Sequence, residues 1–245
     1  MALPYAIDDV RPTQVGLITL QADETIERDF RVLLPQEVEC LVSRVASGET
    51  LSLDTLQAME GGLTASAALL PRGATCSVVG YGCTSASATI GPARVAEMIK
   101  RGVPTEHVTD PLTALISACR EAGITRVGLL SPYVASVSDR LVEALDHAGV
   151  RVTSFGSFDE PSEARVVRIS RIAVREAALH VGRNGVCDAV FLSCTNLRSL
   201  DVIDEVESEL GIPVWSSNQI LAWHMGRLAG FSTRYPAIRP VLDPV

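Results

Sequence analysis

The 245-residue sequence has few aromatic residues (4%), no long apolar run and no excess of positive charge. Its apolar runs have the length of β-strands, well short of the roughly 20 residues that a membrane-spanning helix needs, so we predict no membrane contact. The formal net charge is −8, and the arginines are scattered singly. Without a basic stripe to replace counterions, the chain is not expected to bind nucleic acid.

Metal, disulfide and nucleotide signatures are also missing. The six cysteines form no Cys-x-x-Cys pair, and no histidine lies at metal-ligand spacing from a cysteine. The GYG at 80–82 lacks the third glycine of a dinucleotide fingerprint. The opening MALPYAIDDVRP has no basic flank followed by an apolar region, so we expect no secretion signal. We therefore expect a cytoplasmic protein with reduced thiols.

The sequence does contain an alternation of short β-rich runs and longer amphipathic runs. Typical strands are VGLITL (15–20), EVECLVSRV (37–45) and VGLLSP (127–132). The run 52–70 is predicted to begin as a capped helix, and a long helix is predicted over 163–182. Strands separated by helices favour right-handed crossovers and a parallel sheet covered on both faces. We predict an α/β fold.

The alternation repeats along the chain. VGLI at 15 and VGLL at 127 are 112 residues apart, and two Cys-Thr pairs that end strands are 111 apart. A four-strand unit used twice predicts two similar lobes with parallel sheets and a site in the cleft between them. We predict that one lobe spans 1–112 plus 218–245 and the other 113–217.

Cys83 and Cys194 each end a predicted strand. Open parallel sheets bind ligands beyond the carboxyl ends of strands, and a following helix N-terminus favours thiolate over thiol. We therefore predict lowered pKa values for both. Two facing thiols permit two-base chemistry, in which one removes a proton or attacks and the other returns a proton from the opposite face. The alternative is a buried core role, which we predict for the other four cysteines.

Five stretches carry a family resemblance: VGLITLQADETIE, GYGCTSAS, LLSPYVASVSDRLVEAL, FLSCTNLRSLDVIDEVESELGIPVWSSNQ and AWHMGRLAG. They resemble the aspartate/glutamate racemase superfamily, in its branch of maleate isomerases and arylmalonate decarboxylases, and most of all members encoded with ectoine-utilisation genes. The resemblance implies that the two lobes are related by a pseudo-twofold. It also implies catalysis by Cys83 and Cys194 with no metal and no organic cofactor. It also implies that five residues bind a carboxylate or enediolate: Thr84, Ser85, Tyr133, Thr195 and Asn196.

Two departures from this branch bear on the reaction. Arylmalonate decarboxylases have glycine where Cys83 stands, so Cys83 favours isomerisation or racemisation. Maleate isomerases carry an asparagine in the first strand-to-helix loop, where this chain has Asp23. A carboxylate there would repel a second substrate carboxylate and would suit an amine. The alternative is that Asp23 is a solvated acid at a helix start.

Our leading hypothesis is a cofactor-independent isomerase or racemase acting on a small carboxylate, either an amino-acid derivative or a maleate-like molecule. The alternatives are a decarboxylase of the arylmalonate type and a small-molecule binding protein without turnover. Because the site must exclude water, we expect lobe closure or a homo-oligomer. His107 and His224 are interpreted as packed histidines. The basic run at 165–176 is interpreted as a solvated helix face or an oligomer contact.

Overall fold

Two four-stranded parallel sheets form the centre of the molecule. The computed structural model describes residues 1–8, 10–235 and 237. The strands are β1 (Thr13–Leu20), β2 (Val38–Val45), β3 (Cys76–Gly82), β4 (Thr105–Thr109), β5 (Arg126–Ser131), β6 (Arg151–Ser157), β7 (Ala189–Leu192) and β8 (Val214–Ser216). The first sheet has the order β2-β1-β3-β4 and the second the order β6-β5-β7-β8.

The two sheets have the same topology. In each four-strand unit the first and third strands are central, and the second and fourth are at the edges. All six pairings between neighbouring strands are parallel. This confirms the predicted fold of two similar α/β lobes. It places the ends of the four central strands, β1, β3, β5 and β7, at corresponding positions in the two lobes.

Helices cover the sheets. They are α1 (Ile26–Leu33), α2 (Leu53–Ala58), α3 (Glu60–Ala67), α4 (Thr84–Ile90), α5 (Pro92–Gly102), α6 (Pro111–Ala122), α7 (Ala135–His147), α8 (Glu163–Val166), α9 (Arg171–Arg183), α10 (Ile203–Leu210) and α11 (Ser217–Ala229). Across the described part of the chain, none of them has both the length and the apolar character required to cross a bilayer.

Local signals explain the helix boundaries. Asp110 begins α6 by accepting hydrogen bonds from the backbone N–H groups of Leu112 (2.9 Å) and Thr113 (3.1 Å). Pro111 occupies the first helical position, where a missing N–H costs nothing. Gly123 then ends the helix with a φ of 68°, a left-handed conformation that glycine adopts without steric strain.

The helix start predicted for 52–70 is confirmed, because Ser52 caps it by accepting the N–H of Thr55 (3.2 Å). The run 52–70 nevertheless forms two helices, and the long helix predicted over 163–182 is wrong because it is broken. The first is α2 followed by α3, which meet at Met59, just before a Gly-Gly pair of low helix propensity. The second is the short α8 followed by α9. Ser170 starts α9 by accepting a hydrogen bond from the N–H of Ala173 (3.2 Å), so a new helix begins there.

Apolar side chains alternate between the two faces of each sheet. On β1, Val15 and Leu17 belong to a cluster with residues of α1 and α11, whereas Ile18 and Leu20 pack on the other face with residues of α3 and α5. This second cluster continues into the second lobe, where it includes Leu192 at the end of β7. The continuous core holds the ends of β3 and β7 near each other.

The close packing of α5 against α3 depends on the absence of a side chain at Gly102. A Cβ at Gly102 would lie 2.2 Å from the carbonyl oxygen of Thr64 and 2.7 Å from Cβ of Ala67. Because a helix backbone cannot yield as a flexible side chain can, Gly102→Ala should lower the free energy of unfolding by about 1–3 kcal/mol. Urea denaturation followed by circular dichroism measures this.

Gly61, in α3, is the matched control. A Cβ there meets nothing within 4 Å, so Gly61→Ala should raise the free energy of unfolding by roughly 0.5–1 kcal/mol. Equal midpoints for the two variants would contradict the close contact between α3 and α5.

Candidate active site

The four central strands each deliver one chemically active side chain at their carboxyl ends. Asp23 follows β1, Cys83 follows β3, Tyr133 follows β5 and Cys194 follows β7. All four are buried, with 3–4% of their surface exposed. Two of the four come from each lobe. The structure therefore brings the predicted residues together at the junction of the lobes, the usual ligand position in open parallel sheets.

Hydrogen bonds join the lobes around this point. The hydroxyl of Thr195 donates to the carbonyl oxygen of Gly82 (3.1 Å), and the hydroxyl of Thr25 donates to the carbonyl oxygen of Asn196 (2.9 Å). The N–H of Glu24 donates to Oδ1 of Asn196 (2.9 Å). The predicted substrate-binding side chains of Thr195 and Asn196 are thus engaged in contacts between the lobes, and their role with a substrate stays a prediction.

Ser217 connects the surroundings of the two cysteines. Its Oγ accepts the N–H of Cys194 (3.0 Å) and lies 2.8 Å from Oγ1 of Thr84, the residue after Cys83. Cys194 has a φ of 104°, which costs of order 1–3 kcal/mol for a residue with a side chain. Ser217 therefore helps to hold a strained backbone. Ser85, also predicted to bind substrate, is buried in the first turn of α4.

A buried glutamate completes the arrangement. Tyr133 Oη lies 2.8 Å from Cys194 Sγ and donates a hydrogen bond to Glu163 Oε1 (2.8 Å). Asn196 donates from its backbone N–H to Cys194 Sγ (3.2 Å) and from Nδ2 to Glu163 Oε2 (2.8 Å). A thiol, a phenol and a carboxyl group are thereby linked in one buried row.

The lowered pKa values predicted for the two cysteines are wrong in this structure. Burial raises the pKa of Cys83 to about 12 and that of Cys194 well above its usual value. The carboxylates of Glu163 and Asp23 raise both further. Cys83 does begin α4, with Sγ accepting the N–H of Ala86 (3.4 Å). One short helix does not offset this loss of hydration.

Cys194 also lacks the helix that was expected to follow it. The chain after β7 is irregular until a 3-10 turn begins at Leu200. The backbone amide of Asn196 and the phenol of Tyr133 are the groups that lower the pKa of Cys194, and they do so less than burial raises it. The thiol proton must therefore go to a specific acceptor when the cysteine reacts.

Asp23 is not a solvated residue. Its side chain starts α1, since Oδ1 accepts the N–H groups of Thr25 (2.8 Å) and Ile26 (2.8 Å). The other oxygen, Oδ2, is buried without a hydrogen-bond partner, because the nearby hydroxyl of Thr195 donates to a backbone carbonyl instead. Loss of hydration raises the pKa of Asp23. The helix-start interpretation holds, and the solvated one is wrong.

Sequence reasoning missed Glu163 and Ser217. Glu163 is separated from Tyr133 by 30 positions and from Asn196 by 33, and no local pattern relates them. Ser217 had a usable signal, because it lies in the polar run SSN that follows the apolar strand β8. Polar residues after β3 and β7 were interpreted as a site, and the same rule applies to β8.

The remaining candidates have structural roles. His224 Nδ1 lies 2.7 Å from Oγ1 of Thr109, its ring stacks on Trp223, and burial lowers its pKa to about 4. The packed interpretation of His224 is confirmed. His107 lies on the edge strand β4 beside Glu106 with its side chain 37% exposed, so it is only partly packed. The basic run pairs with glutamates of α10: Arg171 with Glu205, and Arg175 with Glu205 and Glu209.

The cysteines are closed off from solvent. A surface groove of about 1030 Å³ is lined by residues of α1 and α10 and includes neither cysteine. A substrate must therefore enter by movement of the elements around the site. Among residues 1–8, 10–235 and 237, no three His, Cys, Asp or Glu side chains are grouped so as to hold a metal ion.

A family model described as arylmalonate decarboxylase matches residues 16–241. The chain belongs to this family. It is 35% identical to arylmalonate decarboxylase of Bordetella bronchiseptica over 123 residues, which are 48% of this chain and 50% of that protein. It is 26% identical to maleate isomerase of Geobacillus stearothermophilus over 151 residues, 59% of this chain and 60% of that protein. The matches thus span half to three fifths of these relatives.

Solved structures show the same fold over nearly the whole chain. A variant of maleate isomerase Iso from Pseudomonas putida S16, with one cysteine changed to alanine and maleate bound, superposes with a TM-score of 0.81 at 22% identity, covering 92% of this chain and 95% of that one. A liganded arylmalonate decarboxylase, with one glycine changed to cysteine and one cysteine to serine, gives 0.80 at 25% identity, covering 89% and 93%. The resemblance to this branch is confirmed.

Asp29 is connected to the site through Asn218, and the burial of its carboxyl group predicts a pH effect on stability. Asn218 Nδ2 donates to Asp29 Oδ2 (2.8 Å) and to the carbonyl oxygen of Thr195 (2.8 Å). Burial raises the pKa of Asp29 from 3.8 to about 6. The folded state then holds this proton more tightly than the unfolded state does. The resulting stability is present below about pH 4 and is lost as the pH rises to about 6.

The test compares wild type with Asp29→Asn between pH 4 and pH 7. Over this range the variant should gain about 2 kcal/mol of unfolding free energy relative to wild type, the greater part of the full effect of the raised pKa at 1.36 kcal/mol per pKa unit. Denaturant titrations at each pH measure the difference. Asp54→Asn, at an exposed position, controls for the change in net charge. Parallel profiles of unfolding free energy against pH for Asp29→Asn and wild type would contradict the raised pKa of Asp29.

Proposed function

We propose that this protein is a cofactor-independent isomerase or racemase of a small carboxylate, with Cys83 and Cys194 acting from opposite sides of the reacting carbon. One observation carries the proposal: each thiol ends the third strand of its own four-strand unit, and both are buried at the junction of the lobes. Equivalent positions in two similar lobes place two acid–base groups at one junction.

The chemistry follows from the protonation states. Because burial keeps both thiols protonated, one must first lose its proton and act as base or nucleophile, while the other remains ready to donate. In a structure of Nocardia farcinica maleate cis–trans isomerase, which has 22% identity and a TM-score of 0.80 to this chain, a succinylcysteine intermediate is covalently bound. Proton abstraction and addition to a double bond both use one thiolate and one thiol.

The charge of the site favours a substrate that carries an amine. Asp23 and Glu163 are both buried, and both raise the pKa of each cysteine by electrostatic repulsion. Two like charges about 4 Å apart repel by about 4 kcal/mol at an effective dielectric constant of about 20. A second substrate carboxylate would meet this repulsion, whereas an ammonium group would be attracted. An amino-acid derivative therefore fits better than maleate.

Decarboxylation is the second candidate, because the matching family model is that of arylmalonate decarboxylase. A decarboxylase needs a single proton donor, so the second thiol favours the isomerase. A binding protein without turnover is a further alternative.

Four expectations from the sequence stay predictions: the homo-oligomer, the cytoplasmic location, the lobe boundaries and the ectoine association. Residues 9, 236 and 238–245 of the first predicted lobe lie outside the described residues.

The reaction can be followed by NMR in deuterated water. Candidate substrates are amino acids, N-acetylated diamino acids, maleate and arylmalonates. Racemisation washes deuterium into the stereocentre, and decarboxylation releases carbon dioxide and adds one deuterium. A binding protein shows neither, but is thermally stabilised by its ligand. Isomerisation of maleate gives fumarate.

Cys83→Ala and Cys194→Ala should each lower kcat by roughly 10²–10⁴-fold, the usual contribution of a general acid or base. Cys76→Ala is the control, since Cys76 is also a buried thiol but lies at the start of β3. Full turnover by either Cys83→Ala or Cys194→Ala would rule out the two-thiol mechanism.

Asp23→Asn tests the preference for an amine. The substitution keeps an Oδ1 atom to start α1 and removes the charge. We expect kcat/KM for an amine-bearing substrate to fall by about tenfold or more, a change of about 1.4 kcal/mol, and kcat/KM for the matching dicarboxylate to rise. Asp54→Asn is again the surface control. An equal change for both substrates would contradict a charge preference at Asp23.

A further inference from the structure

The hydrogen bonds along the row formed by Cys194, Tyr133 and Glu163 are coupled, so the direction in which Tyr133 donates fixes which neighbour carries a proton. Tyr133 Oη is 2.8 Å from both Cys194 Sγ and Glu163 Oε1, and the three side chains have exposures of 2–3%. A phenol has one proton to donate. When it goes to the carboxylate, the thiol proton must point to the phenol oxygen. When it goes to the sulfur, the carboxyl group must be the protonated donor.

We propose that Tyr133 and Glu163 form a proton relay that converts Cys194 into a thiolate. The S–H bond of Cys194 breaks as its proton passes to Tyr133 Oη, and the phenolic proton passes to Glu163 Oε1. The products are a thiolate, an unchanged tyrosine and a neutral carboxylic acid. The inference rests on the proposed function, in which Cys194 reacts as a thiolate. Glu163 acts through Tyr133 and is a positioning residue.

Asn196 holds both ends of the relay. Its backbone N–H donates to Cys194 Sγ (3.2 Å), and its Nδ2 donates to Glu163 Oε2 (2.8 Å) and to the carbonyl oxygen of Glu163 (3.2 Å). After the transfer, the thiolate would keep the amide of Asn196 and gain the O–H of Tyr133 as donors. Charge-assisted hydrogen bonds of this kind are about twice as strong as neutral ones.

The electrostatics require one negative charge to be shared along the row. Burial raises the pKa of both Glu163 and Cys194, and the charge of Glu163 raises that of Cys194 further. The other titratable groups that face the relay are Asp23, before α1, and Cys83, before α4, and neither is a cation. Internal transfer leaves the net charge unchanged, whereas loss of the thiol proton to solvent would add a second negative charge.

The relay predicts a pH dependence that a purely structural brace does not. The form with a thiol and a carboxylate holds as many protons as the form with a thiolate and a carboxylic acid. The fraction of Cys194 thiolate should therefore stay constant over a range of pH. An isolated thiol below its pKa gains thiolate tenfold with each pH unit, and only the thiolate is nucleophilic.

The experiment measures the rate at which iodoacetamide alkylates Cys194 in the full chain, by mass spectrometry of the Cys194 peptide between pH 6 and pH 8.5. In wild type the rate should change by less than about threefold in total. In Glu163→Gln it should rise about tenfold per pH unit and lie at least about tenfold below wild type at pH 7. Cys76 in the same digest is the internal reference for an ordinary buried thiol.

Glu160→Gln is the matched control, since Glu160 pairs with Arg165 near the surface, and this variant should keep the wild-type profile. Tyr133→Phe should lose the constant rate as Glu163→Gln does, and it serves as the test if Glu163→Gln fails to fold. A rate that rises tenfold per unit in wild type, or one that stays constant in Glu163→Gln or Tyr133→Phe, would overturn the relay.

Turnover separates the relay from the proposed function. With a working substrate, Glu163→Gln should lower kcat, because the relay acts on the chemical step. For an amine-bearing substrate the lost charge should also raise KM. A drop in binding alone would contradict it. If the alkylation profiles agree with the relay and no compound in the NMR panel is converted, the isomerase proposal fails while the relay stands.

Discussion

Removal of water from four acidic groups is the constraint on which the site depends. Two thiols and two carboxyl groups, those of Cys83, Cys194, Asp23 and Glu163, lie at the junction of the lobes with 2–4% of their surface exposed. Each charge placed there makes the next more costly. Reactivity therefore depends on whether the negative charge shared by Cys194 and Glu163 lies on the thiol or on the carboxyl group. Hydrogen bonds to Tyr133 and Asn196 decide that position.

The repeated architecture explains why the thiols meet. Parallel strands end at one edge of a sheet, and each lobe places its third strand centrally. The third strands end at Cys83 and Cys194, and the hydroxyls of Thr84 and Ser217 connect their surroundings. The positive φ of Cys194 is tolerated because contacts on both sides hold it, as is common for strained residues at functional sites.

Membership of the arylmalonate decarboxylase family and the fold of maleate isomerases leave the substrate open. Asp23 and Glu163 are buried beside the cysteines, and no cation is in direct contact with either carboxylate among the described residues. We propose that these carboxylates disfavour a second substrate carboxylate by electrostatic repulsion. Substrate choice within one fold then depends on a few buried charges rather than on the architecture.

The sequence by itself determined the α/β class, the repeat and the strand-end positions of Cys83 and Cys194, because strand periodicity and strand ends are local patterns. Tyr133 was indicated by the family resemblance rather than by these patterns. Only the tertiary structure decided the protonation of the thiols and the role of Glu163. Burial and the contact between Glu163 and Tyr133, 30 positions apart, arise from the packing of distant segments. A pKa depends on that packing, so a helix-start rule applied to neighbours in sequence predicted the wrong direction.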